Sequence, residues 1–119
     1  MSETRRNIAD YLEDALTAMD KAESFVSGMS YEQFANDDKT VFAVVRAIEI
    51  VGEAVKHIPQ DFRQKFTDIP WRDMAGMRDV LIHEYFGIDL ETVWKTVKED
   101  IPKVKRPMRK VFKTFERVG

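Results

Sequence analysis

A chain of 119 residues is long enough to bury one hydrophobic core and too short for two ordinary domains, so a single unit spanning 1–119 is expected. With 44% hydrophobic and 34% charged residues it has the composition of a globular domain and not of a disordered chain, and the lack of cysteine excludes disulfide scaffolds, thiolate metal sites and a thiol nucleophile. The net charge of −2 conceals an asymmetry: residues 1–101 carry 12 basic and 20 acidic groups, whereas 102–119 carry 7 and 1.

The first residues, Met1 to Leu16, are charged and lack an apolar signal core, and nowhere is there the run of roughly 18 apolar residues that spans a bilayer. A soluble cytoplasmic protein with no membrane partner is expected. Ile8, Leu12, Ala15, Met19, Ala22 and Val26 step by four and three, which predicts a long amphipathic helix ending at Gly28. Ser30-Tyr31-Glu32-Gln33 has capping-box form and should open a short helical turn before Asn36-Asp37-Asp38. A second long helix follows on Val41, Val44, Val45, Ile48, Val51, Val55 and Ile58, closed by Pro59.

Gln60 to Phe66 can form a short helix across one end of the bundle, and Ile69-Pro70-Trp71 restarts the chain with proline in a favoured first-turn position. The third long helix is expected to begin there. Trp71, Met74, Leu81, Ile82 and Tyr85 give it a buried side, Gly76 would admit a neighbouring backbone, and Gly87 should stop it. Asp89 can cap the next helix, whose inner face is Leu90, Val93, Trp94, Val97 and Ile101. Pro102 and Pro107 predict a kink or break near Pro102, followed by a last basic, amphipathic helical extension over 102–119 on Val104, Met108, Val111, Phe112 and Phe115. The fold class is therefore all-α, an up-and-down bundle of four to five helices.

Inside the third helix lies the run Arg78-Asp79-Val80-Leu81-Ile82-His83-Glu84-Tyr85, reading RxxxxHxY. It offers a fixed cation, a group that exchanges a proton near neutral pH, and a phenol. In a regular helix Arg78 and His83 lie about 140° apart around the axis and about 7.5 Å along it, so they border a groove rather than share a stripe. Asp79 stands an i, i+4 step from His83 and can orient the imidazole and favour its protonated form. Tyr85 returns to the arginine's side after two turns. These parts suit chemistry on a phosphodiester, although a lone helical histidine is also a common structural residue. Only two histidines occur, His57 being the other, and they fall on different helices. Glu49 and Glu53 form an i, i+4 carboxylate pair that can take a divalent cation, or simply face solvent or pair with a base. No metal site and no cofactor are expected, and the Met and Phe residues along the seams read as core.

The segment Ile48-Glu49-Ile50-Val51-Gly52-Glu53-Ala54, then Ile69-Pro70-Trp71, then Gly76 to Tyr85, then Val93-Trp94, resembles the HepT-like branch of the HEPN superfamily over roughly Ile8 to Pro102. That resemblance implies a small helical bundle that dimerises and acts as a ribonuclease toxin paired with a minimal nucleotidyltransferase antitoxin. It implies that Arg78 and His83 are catalytic, that Asp79 is the polar residue after the arginine, and that Tyr85 is the tyrosine on which the antitoxin places AMP. Aspartate stands at position 79 where many relatives carry asparagine. The alternative is a non-catalytic helical partner that helps a nucleotidyltransferase hold its substrate; Arg78 would then bind a nucleotide phosphate and His83 would be structural. The basic extension is not covered by the resemblance. Lys105, Arg109 and Lys113 on it are expected to attract an RNA backbone, unless the segment is only a solvated face.

Overall fold

The computed structural model describes residues 2–77 and 89–118, with side chains over 7–77 and 89–115, and all regular structure among them is helical. The elements are α1 (Ser2–Phe25), α2 (Tyr31–Ala35), α3 (Asp38–Lys56), α4 (Gln60–Arg63), α5 (Trp71–Ala75), α6 (Leu90–Lys95), a π turn (Thr96–Asp100) and α7 (Ile101–Val118). Together they make an all-α bundle.

The α1–α3 pair is its centre. Every residue expected on the α1 seam, from Ile8 through Val26, is buried, and so is the α3 seam from Val41 to Ile58. Burying each leucine-sized side chain contributes about 1.5–3 kcal/mol, so these two stripes supply much of the drive for collapse. α7 lays Val104, Met108 and Val111 on the same core, and α5 adds Trp71 and Met74. Phe34, in the short α2, is fully buried against Trp94, with ring centroids 5.3 Å apart.

Local signals set most helix ends. α1 stops where Gly28 takes φ +78°, a left-handed conformation that side chains with a Cβ disfavour. Ser30 and Gln33 complete the capping box: the Gln33 amide donates to Ser30 Oγ at 3.1 Å and the Ser30 amide donates to Gln33 Oε1 at 2.9 Å. Asp37 accepts from the Thr40 amide at the start of α3, and Asp89 accepts from the Thr92 amide at the start of α6.

Of two expectations, one takes a specific form and the other is corrected. The irregularity expected as a kink or break near Pro102 takes the form of a π turn rather than a break: the Ile101 amide donates to the carbonyl of Thr96 five residues back. A wider turn carries away the carbonyls against which a proline ring would press, so α6 and α7 continue through it. At Gly76 the described residues bring no neighbouring backbone close: a Cβ added there would meet only the carbonyls of Arg72 and Asp73, at 3.5 and 3.8 Å. Gly76 instead caps α5, which ends at Ala75 and does not run unbroken from Trp71.

Candidate functional site

Four of the residues singled out by the sequence, Arg78, Asp79, His83 and Tyr85, lie outside the described residues. What the structure does describe is the scaffold that leads the chain to Met77. It begins at the C-terminal end of α3, where the carbonyls of the last turn point out of the helix. Arg63 closes that end from α4: its Nη2 donates to the carbonyl of Val55 at 2.6 Å and its Nε to that of Ile58 at 3.0 Å. A cation set on the negative end of the helix dipole reinforces both bonds.

Trp71 fastens the other end of this connection. Its indole N–H donates to the carbonyls of Phe66, at 2.9 Å, and Arg63, at 3.1 Å, while the ring is buried beside Phe62. The Ile-Pro-Trp segment is thus a staple that fixes where α5 starts. Phe62 packs in turn against Phe66 and Phe115 with tilted rings, tying the α4 region to α7. Beyond α5, a cleft of about 510 Å³ opens between Arg72, Asp73, Gly76 and Met77 on one side and Thr96, Asp100 and Lys103 on the other. Among the described residues that line it, two are basic and two acidic, and their charges cancel. Thr96, the buried polar residue of this wall, donates its hydroxyl to the carbonyl of Thr92 at 2.8 Å.

The other candidates resolve individually. Glu49 and Glu53 both accept from Arg46, at 3.5 and 3.3 Å, so the carboxylate pair has a basic partner on its own helix. Among the described residues no cluster of three or more His, Asp or Glu side chains is arranged to hold a metal ion. His57 caps α3 and stacks on Tyr11 with ring centroids 4.9 Å apart.

The three basic positions proposed on the extension part company. Lys105 and Arg109 point at α1, where Lys105 Nζ pairs with Asp20 at 2.8 Å and with Glu23, and Arg109 Nη2 pairs with Asp20 at 2.9 Å. Burial disfavours the charged form of Asp20, but the hydrogen bond and charge of Lys105, with those of Arg109, outweigh it and hold the carboxyl below its ordinary value. Burial likewise opposes the charge on Lys105, and the hydrogen bonds from its ammonium to Asp20 and Glu23 overcome it and push its pKa up. These two cations therefore work inside the fold as an α1–α7 clamp. Lys113 is exposed. Arg106 and Lys110, which the sequence placed in the same basic cluster without singling them out, line a separate cleft with Lys65, which it passed over; a helical wheel of α7 separates the 105/109 stripe from the 106/110 stripe.

Comparison with known proteins gives these features a context. A family model described as "Ribonuclease HepT-like" matches residues 15–111. The chain is similar to "Probable ribonuclease HepT" of Thermococcus cleftensis, 52% identical over 109 residues that cover 92% of this chain and 99% of that one. It is also similar to "Putative RNase MJ0125" of Methanocaldococcus jannaschii, 46% identical over 94% of this chain and 97% of that one. A third relative, "Putative RNase TTE0752" of Caldanaerobacter subterraneus, is 41% identical over 86% of this chain and 91% of its own. No solved structure matches the chain.

Proposed function

This chain belongs to the HepT-like ribonuclease family, and from that premise we propose that it is a metal-independent endoribonuclease working as the toxin of a type VII-like toxin–antitoxin pair. The observation that carries the reading is that the complete Arg78, Asp79, His83, Tyr85 set falls within the 15–111 span matched by the family. In RNA cleavage without a metal, the ribose 2′-OH attacks the adjacent phosphorus and the 5′-oxygen leaves. One proton must be taken, one returned, and negative charge on the phosphoryl oxygens stabilised. His83 supplies the proton transfers, oriented by Asp79. Arg78, permanently charged and able to bind two phosphate oxygens at once, supplies the stabilisation.

A single histidine is poorly suited to be base and acid in the same step. A homodimer places two copies of each residue at one cleft, so dimerisation belongs to this proposal. The partner is a minimal nucleotidyltransferase antitoxin, and AMP placed on Tyr85, which the spacing of the sequence puts two turns from Arg78 on a regular helix, silences the toxin by adding negative charge and bulk. The working location is the cytoplasm, where substrate RNA is found; no helix among the described residues is long and apolar enough to cross a membrane.

The test is cleavage of RNA in excess EDTA by the wild type, Arg78→Ala and His83→Ala. Activity in the first and its loss in both variants is expected. Equal cleavage by all three, or activity that disappears only on chelation, would overturn the assigned site.

A further inference from the structure

The cleft between the connection after α4 and the outer face of α7 has a volume of about 400 Å³ and is lined by Lys65, Phe66, Asp68, Arg106 and Lys110, among others. Among the described lining residues three cations face one carboxylate. All three are exposed, and among the described residues none of them takes part in an ion pair, although Lys105 and Arg109 on the same helix are both paired. The contrast follows from helix geometry. Lys103, Arg106, Lys110 and Lys113 recur at i, i+3, i+7 and i+10, which confines them to an arc of about 80° and strings them along about 15 Å of α7. Lys105 and Arg109 lie outside that arc, facing the acids of α1.

We propose that this cleft is a binding site for the phosphate backbone of single-stranded RNA, separate from the cleavage motif and serving to deliver substrate to it. The inference rests on the ribonuclease reading above. A row of exposed cations that make no ion pair among the described residues, beside a partly exposed aromatic ring, here Phe66, is the combination that holds single strands: the charges follow the backbone and the ring offers a face to a base. The row also has a direction. Lys103, at its inner end, lines the neighbouring cleft that contains Gly76 and Met77, the residues immediately before Arg78 in the chain. RNA lying along the cations of α7 would run from the end of the helix toward Gly76 and Met77.

The experiment uses the full chain carrying His83→Ala, so that the probe survives, and measures the anisotropy of a short 5′-fluorescein oligouridylate against salt concentration. Neutralising the cleft with Lys65→Gln, Arg106→Gln and Lys110→Gln should weaken binding at least about tenfold and flatten the slope of log K against log salt by about 2, the loss of three single-strand phosphate contacts. The control, Lys21→Gln, Lys39→Gln and Lys95→Gln, removes the same charge from exposed lysines elsewhere and should change affinity less than about twofold. If the cleft triple variant melts below the parent, Arg106→Gln with Lys110→Gln alone should flatten the slope by about 1.4.

Unchanged affinity and slope in the cleft variant, or equal losses in cleft and control variants, overturn the site. So does a labelled polyglutamate that binds the cleft as tightly as the RNA, which would mark a dock for an acidic protein. Cleavage of the same RNA by the protein with His83 intact is measured in parallel. Absent cleavage with cleft-dependent binding counts against the nuclease and leaves the RNA site standing; intact cleavage with cleft-independent binding counts against the site alone.

Discussion

Replacing Arg63 by methionine keeps the side-chain stem and removes the guanidinium that closes α3. Two hydrogen bonds disappear, to the carbonyls of Val55 and Ile58. Bonds from a charged donor contribute about 1.5–3 kcal/mol each, but they are not equivalent here. The Val55 carbonyl keeps a second donor, the Ile58 amide at 3.0 Å, so its loss is partial. For the Ile58 carbonyl Arg63 is the side-chain donor, and its loss takes most of a full bond with it. The total is about 2 kcal/mol, and with an unfolding entropy of about 0.25 kcal/mol/K for a chain this long, the melting temperature should fall by about 8 °C. Arg63→Lys should recover about half, since one ammonium lacks the fork that reaches both carbonyls. The assay is thermal unfolding followed by circular dichroism at a fixed protein concentration, in low and in high salt. Because the acceptors are neutral carbonyls, the deficit should persist in high salt. A methionine variant melting within about 2 °C of the wild type, or a lysine variant equal to it, would refute the capping argument.

The α1–α7 clamp makes stability depend on pH with a defined sign. Asp20 titrates below its ordinary 3.8, so its contribution is complete above that value and vanishes as the pH falls through its lower folded value; Lys105 titrates above 10.5, so its contribution holds below that value and is lost as the pH rises past it. With Asp20 half exposed, Asp20→Asn should cost at most about 1 kcal/mol at neutral pH. Its melting temperature should converge on that of the wild type in strong acid, and a gap that widens there would contradict the assignment. Tyr85→Phe should keep its fold and any RNase activity yet gain no AMP mass when incubated with a partner nucleotidyltransferase, ATP and Mg²⁺; equal mass gain and equal silencing would show that Tyr85 is not the switch. Leu12→Ala, at a fully buried position in the α1–α3 interface, should lower stability by about 2–5 kcal/mol in a denaturant titration, and a loss below about 1 kcal/mol would mean that the site collapses around the vacancy.

What the sequence revealed of this fold was what depends on neighbours in the chain. Ser30 with Gln33, Asp89 with Thr92, and the four-and-three spacing of the α1 and α3 seams all act over one or two turns, and each of these features is present. Features that join distant segments were hidden. A helical wheel sets Lys105 and Arg109 on a different stripe from Arg106 and Lys110, but only the approach of Asp20 and Glu23, more than eighty residues earlier, decides which stripe is an internal clamp and which an open cationic row. Phe34 reads as part of a short polar turn until Trp94 closes over it. Prolines were misleading in a more specific way: Pro102 announces that a standard helix cannot pass, but a wider turn satisfies the same constraint as a break. The RxxxxHxY run was recognised by its chemistry and its resemblance, and it stands as the proposed site.

The π turn also has a bearing on where this chain can change its length. Val93, Val97 and Ile101 are spaced four and four, which on an unmodified helix would set Ile101 about 80° from Val93. The wide turn absorbs about one residue of rotation, which brings Ile101 to about 20° from Val93 and sets the angle at which α7 lays its own apolar face on the core. It acts as a vernier between two rulers of equal pitch. Dropping one exposed residue here, Lys98 or Glu99, converts four-and-four into four-and-three and leaves an ordinary helix with its apolar side still facing inward. The same deletion a turn later would swing the final segment by about 100° and bring its lysines against the core. Length variation is therefore accommodated at 96–100, and beyond it the count of residues is fixed by the face that each must present.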